Sequence, residues 1–298
     1  MSKCFFEAVR YDEGIIVDPL VERLKNYVEV ITFCPESEFG LGTPRLPIKI
    51  YQVKGEKILL QEKTGKNLTA EMKPFLIKYI STLPPLDGAL LKSKSPSCGV
   101  GTAKLYKGEK LIGKTDGLFA SLLKENNPYL PLEDEGRLRD KSLYYHFLTS
   151  IFLLARLKKE VLPSDLKSLF DFHAKAKYLL KTYNEELAKK MERILADKDL
   201  SAEEKFNVYQ SLLKISLKKK PEKKRHVNTL YHLAGHFIRR ISSKERRNLL
   251  NLIEKFKAGS LDLTVLLEVI KSLALRFEDH YILSQIYLEP FPLELRLP

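Results

Sequence analysis

The chain has 298 residues, 44% of them hydrophobic, which is enough for two domains of ordinary size with cores of their own. No window holds 18 uncharged apolar residues and the N-terminus MSKCFFEAVRYDEG is charged throughout, so neither a transmembrane helix nor a signal peptide is expected; a cytoplasmic protein with no membrane partner is. Three cysteines, Cys4, Cys34 and Cys98, are too few for a disulfide framework, which leaves inert thiols, a nucleophile or metal ligands. The net charge is +13 and uneven. Residues 1–150 carry 22 Lys and Arg against 19 Asp and Glu, a surplus of +3, so +10 falls on the remainder and points to an anionic partner such as nucleic acid.

In chain order, VEVITF (28–33) is a β-rich run ending at Cys34. PIKIYQV (47–53) and EKILLQE (56–62) form a predicted hairpin around Lys54-Gly55. NLTAEMKPFLIKYISTL (67–83) has helical spacing with Pro74 as an irregularity, DGALLKS (87–93) is a short buried strand, and 101–117 is a second hairpin. A helix follows over 116–126 with Asp116 as its cap. Alternating strands and helices predict an α/β domain with a small parallel or mixed sheet. From about residue 143 the periodicity is helical, with segments at 143–159, 166–195, 202–220, 226–241, 244–259 and 263–277, hence an all-α second domain. The boundaries are placed at 1–145 and 146–298. The ending around Glu289-Pro290-Phe291-Pro292 reads as an irregular tail packed on the domain.

Ligand sites in open α/β sheets gather at the carboxyl ends of strands. Cys34 directly follows one predicted strand and Cys98 follows another after the turn KSKSPS. Spacings of 30 and 64 residues match no short metal signature, so on spacing alone three unrelated buried thiols remain the simpler reading. Three thiolates without a fourth suit a [4Fe–4S] cluster with one open iron or a three-cysteine zinc site.

CFFEAVRYDEG (4–14), CPESEFGLGTPR (34–45) and LLKSKSPSCGVG (90–101), in that order, resemble the thiouracil desulfidase family over about residues 1–140. FHAKAKYLLKTYN (172–184), HVNTLYHLAGHF (226–237) and the ending HYILSQIYLEPFPLEL resemble the helical domain often fused to it. The fused pair is similar to the tRNA 4-thiouridine desulfidases. The resemblance implies that Cys4, Cys34 and Cys98 ligate a [4Fe–4S] cluster whose fourth iron takes the substrate sulfur. It also implies hydrolysis without net redox, with Glu36 as general acid/base and Ser95 orienting water or the base ahead of Ser97. One departure is visible: only Met1-Ser2-Lys3 precede Cys4 where the family has an apolar strand, so the first strand is expected to be short or absent.

In the helical half, LKKKPEKKRH (217–226) and the arginines after it supply candidate RNA contacts: Lys218, Lys219, Lys220, Lys223, Lys224, Arg225, Arg239 and Arg240. His232 and His236 have a zinc-pair spacing but lack the glutamate and third ligand of a zinc site, which favours a helix face or RNA contact. The reading is thus a tRNA 4-thiouridine desulfidase with thiolated tRNA as partner and no obligate protein partner. A desulfidase of free thiouracil or thiouridine, and a non-catalytic Fe–S RNA-binding regulator, are the competing readings.

Overall fold

The computed structural model describes residues 1–297. The chain divides into two compact units: Met1–Ile151 together with the segment from Leu293 on, and Phe152–Pro292. No helix among the described residues is long and apolar enough to cross a membrane.

The first unit is α/β. Helix α1 (Pro19–Leu24) starts at Asp18, whose carboxylate accepts from Leu20 N and Val21 N. Strands β1 (Lys49–Val53) and β2 (Glu56–Gln61) form the expected hairpin. Lys54 and Gly55, at φ 50° and 88°, make the turn whose twist matches antiparallel strands. β3 (Lys66–Asn67) adds to β2, and α2 (Thr69–Thr82) carries Pro74 in its second turn without ending there. After β4 (Ala89–Leu91) come β5 (Ala103–Lys107), β6 (Lys110–Thr115), α3 (Leu118–Asn126) and β7 (Leu132–Asp134), and α4 (Lys141–Glu160) begins in this unit. The five-stranded sheet has the order β3-β2-β1-β5-β6, antiparallel except for the β1–β5 pair.

β4 and β7 form a separate parallel pair. The N-terminal segment extends it: Ser2 N donates to Leu90 O (3.0 Å), and Ser2 bridges Phe33 in parallel. The expected first strand is therefore a single bridging residue. VEVITF is not a regular strand either. Its pairing is the single parallel bridge of Phe33 to Ser2, flanked by Met1 N donating to Ile31 O (2.6 Å) and Phe33 N donating to Met1 O (3.1 Å). Beneath this layer lie Leu76 and Ile80 of α2 and Phe119, Leu122 and Leu123 of α3, with the Phe33 ring stacked 3.6 Å from that of Tyr79.

Asp116 does not cap α3. The N-cap is Gly117, and Asp116 instead accepts from Gly101 N (2.6 Å) and pairs with Lys124. Residues 289–292 are irregular with Pro290 and Phe291 buried, as expected, and the residues after them are held as well. Arg23 of α1 donates to Glu294 O and Arg296 O, and Tyr144 OH donates to Leu295 O at 2.6 Å.

The second unit is all helix: α5 (Leu166–Tyr183), α6 (Glu185–Ala196), α7 (Ala202–Ser216), α8 (Lys223–Gly235), α9 (Ser243–Ala258), α10 (Leu263–Arg276) and α11 (His280–Leu283). The periodic stretch 166–195 is two helices. Asn184, at φ −157°, breaks it and caps α6 by accepting from Leu187 N (3.1 Å). Capping boxes Ser201/Glu204 and Ser242/Glu245 start α7 and α9. The core gathers Phe172, Tyr209, Leu230, Phe237, Ile253, Leu266 and Ile270. Its histidines serve that core: His173 meets Tyr209 OH at 3.1 Å and His226 meets Tyr287 OH at 3.0 Å.

Candidate active site

The loop from Lys92 to Gly99 is built around its own backbone. Ser95 Oγ accepts from Ser97 N and Cys98 N (3.2 and 3.1 Å), and Ser95 O accepts from Gly99 N (2.9 Å), which closes a tight turn. The N-terminus of α3 then seats that turn: Leu118 N and Phe119 N donate to Pro96 O and Ser97 O. The approach is so close that a Cβ on Gly117 would lie 2.5 Å from Ser97 C, so only glycine fits. From the other side the fully buried Asp134 of β7 accepts from Val100 N (3.0 Å), Thr102 Oγ1 and Arg137 N. Cys98 is thereby fixed by two elements distant in sequence.

Cys34 opens the turn after Phe33, and Ser37 N points at its sulfur (3.5 Å). Two residues on, Glu36 is buried in a salt bridge: Arg45 Nε donates to Oε2 at 2.8 Å, with the two side chains 5% and 12% exposed. Its other oxygen accepts from Ser97 Oγ at 3.0 Å, which ties the Cys34 loop to the Cys98 loop. Arg45 reaches further, to Val9 O (2.9 Å), to Gly42 O (3.0 Å) and, at 4.0 Å, to Cys34 Sγ. Cys4 sits in the 3-10 turn after Ser2, whose hydroxyl accepts from Lys92 N (2.9 Å) and bonds the Cys98 thiol.

All three cysteines are buried and unpaired, and they line one cavity of about 470 Å³ together with Glu36, Arg45, Lys92 and Ser95. Burial pushes the Cys4 thiol up to about 12, with the Cys34 charge adding to it. Burial likewise raises Cys34 and Cys98, and Cys4 and Cys34 raise Cys98 further. As bare thiols the three stay protonated; as thiolates they need a cationic partner among them, which a bound metal group supplies. Among the described residues no three His, Cys, Asp or Glu donors are gathered closely enough to hold one metal ion.

The structure separates the two serines. Ser95 faces the cavity with its oxygen already accepting two backbone N–H groups, while Ser97 is fully buried and holds Glu36. Lys92, whose role the sequence leaves open, pairs with the buried Glu135, which also accepts from Ser93 N and Ser93 Oγ. Arg45 lies at the end of the motif segment 34–45 with no signal of its own role. Asp134 and Glu135 have no sequence signal, because each of the two acts on a loop more than thirty residues earlier in the chain.

The candidate RNA residues fall in two groups at opposite ends of α8, a helix of 13 residues and so about 20 Å long. Lys218, Lys219 and Lys220 are exposed in the turn after α7, and Lys223, Lys224 and Arg225 open α8, with Lys224 paired to Glu222. Beyond its other end Arg239 is exposed, and Arg240 stacks 4.4 Å from the Phe277 ring and donates to Phe277 O. His232 is exposed, and His236 bonds Tyr178 OH at 2.9 Å and stacks on Tyr281, so the two do not act as a metal pair.

Residues 1–135 match the family model for 2-thiouracil desulfurase, and residues 177–292 match one described as a protein of unknown function, DUF1722. The chain is 27% identical over 146 residues to the uncharacterized protein YbgA of Escherichia coli K12, covering 48% of this chain and 85% of that one. It is 27% identical over 125 residues to the uncharacterized protein YbbK of Bacillus subtilis 168, covering 39% and 82%. A solved structure, a [4Fe-4S]-dependent thiouracil desulfidase TudS, is 29% identical and covers 48% of this chain and 94% of that one, with a TM-score of 0.37.

Proposed function

Taking residues 1–135 as a 2-thiouracil desulfurase domain, we propose that the protein hydrolyses the carbon–sulfur bond of 4-thiouridine in tRNA, using a [4Fe–4S] cluster on Cys4, Cys34 and Cys98. The observation that carries this is the convergence of three buried thiols and one tethered carboxylate, from three separate loops, on a single cavity. The donor set fits the group. A cubane takes one thiolate per iron and spreads its ligands more widely than a single ion does, and three cysteines leave one iron free. When bound, the cluster supplies a soft Lewis acid for the substrate sulfur.

The chain's own residues supply the rest. Water adds to C4 of the pyrimidine, the C4–S bond breaks, sulfur departs as hydrogen sulfide or its anion, and a carbonyl remains, so no electrons are exchanged overall. Glu36 takes a proton from the attacking water and returns it as the bond breaks. Arg45 and Ser97 hold one oxygen each, fixing the carboxylate while leaving lone pairs for water. Ser95, with its oxygen occupied by backbone donors, keeps its hydroxyl hydrogen to orient that water. A base inside folded tRNA leaves its stack to enter the cavity. The basic clusters at the two ends of α8 in the helical unit supply phosphate contacts.

The test uses anaerobically reconstituted full-length protein with thiolated tRNA, following the loss of near-UV thiouridine absorbance and the release of sulfide. No loss with an intact cluster refutes the tRNA reading. Activity on free thiouracil alone favours the small-molecule reading. RNA binding without sulfide release favours a regulator.

A further inference from the structure

The cavity opens onto a sheet face that the reaction as drawn does not use. β1 and β5 run parallel with Tyr51 beside Tyr106, their rings 5.7 Å apart and tilted by 36°. Lys49 Nζ lies 5.1 Å from the centre of the Tyr106 ring. On the next strand Lys114 stands directly opposite Lys104, both exposed. Ile50 and Ala103 turn to the opposite face and enter the core, so these tyrosines and lysines share the outer face.

Like charges opposite each other across an antiparallel pair destabilise it unless an anion sits between them. Neither Lys104 nor Lys114 has an ion-pair partner among the described residues, whereas Lys49 is held by Glu62 at 2.6 Å and Tyr51 OH also donates to Glu62. Lys49, Lys104 and Tyr106 line the cavity as well, so the face and the cavity form one continuous surface.

Resting on the tRNA reading above, we infer that this outer face docks single-stranded RNA, the nucleotides next to the thiolated base. The tyrosine pair stacks their bases and Lys104 and Lys114 meet their phosphates. Rings interleaved with cations suit a single strand, whose bases offer π-faces and whose backbone carries charge. An acidic protein or an anionic membrane would have no use for a base-sized cavity at the edge of the patch.

The experiment measures affinity for a ten-nucleotide unmodified RNA over a series of salt concentrations, with the full reconstituted chain. Lys104→Gln/Lys114→Gln lowers the magnitude of the log–log salt slope by about 1.4, two phosphates at about 0.7 each, and weakens binding. Tyr51→Leu/Tyr106→Leu weakens binding about tenfold or more and leaves the slope unchanged. Cluster absorbance and melting temperature of both variants confirm that they are folded. Wild-type affinity and slope in both folded variants overturn the surface while leaving the tRNA reading intact. Preference of the wild type for anionic vesicles over RNA overturns it too. A wild type that desulfidates free thiouracil but binds no RNA overturns the surface and the tRNA reading together.

Discussion

The two units treat their titratable side chains in opposite ways. In the α/β unit the cysteines, Glu36 and Arg45 come from loops and are held by bonds that cross between loops, with their functional atoms turned to one cavity. In the helical unit the buried histidines are consumed by tyrosine partners in the core, and the candidate RNA-binding charges stand at helix ends and turns. A polar group buried against a single partner reads as structure; several of them converging on shared space read as chemistry. The contrast also explains why the HLAGH pair, attractive by spacing, comes to nothing: His236 is already committed to Tyr178 and Tyr281.

The sharpest way to break the contrast is at Cys98. Cys98→Ala is expected to remove the cluster and with it activity by at least about a thousandfold, read as iron and acid-labile sulfide per chain in anaerobic protein. Glu36→Gln is expected to lower kcat by about 10²–10⁴-fold while iron content stays at the wild-type level, which separates the proton carrier from the ligands. Gly117→Ala pushes against the Ser97 backbone and is expected to cost about 1–3 kcal/mol of stability, seen in chemical denaturation, and to reduce cluster occupancy. The smallest effect belongs to the helical unit. Burial holds His226 down at about 4, whereas in the unfolded chain it titrates near 6.5. The unfolded state therefore binds the extra proton, so stability is complete above about pH 6.5 and declines as pH falls toward 4. The expected loss between pH 7.5 and pH 5 is about 2 kcal/mol, and His226→Gln should flatten that slope.

How much of this was written locally in the chain differs by feature. The hairpin at Lys54-Gly55 was legible because its turn chemistry lies in two adjacent residues. The placement of Cys98 past the end of β4 was legible, because parallel strands expose their carboxyl ends together, whereas Cys34 follows only the single bridging residue Phe33 and not the strand its β-rich run predicts. The break at Asn184 was not, since apolar periodicity runs through it and only the cap bond to Leu187 N reveals it. Asp134 gave no sign either: its three bonds hold a loop more than thirty positions earlier as well as Arg137 N nearby. The same holds for Arg45, nine positions from the carboxylate it grips. Contacts within a turn can be read from a single sequence; contacts between loops need the fold.

The hold of Arg23 and Tyr144 on residues 294–296 has a consequence for how the molecule is made. During synthesis a leading domain ordinarily folds while the ribosome is still at work behind it. Here the α/β unit cannot close that contact until the whole helical unit has been translated, because the helical unit lies between its two pieces in the chain. Topologically the helices are a guest within their host. A fragment cut after α4 would leave Arg23 and Tyr144 without their carbonyl partners, so the first unit keeps its own contacts only when residues 293–297 are retained with it.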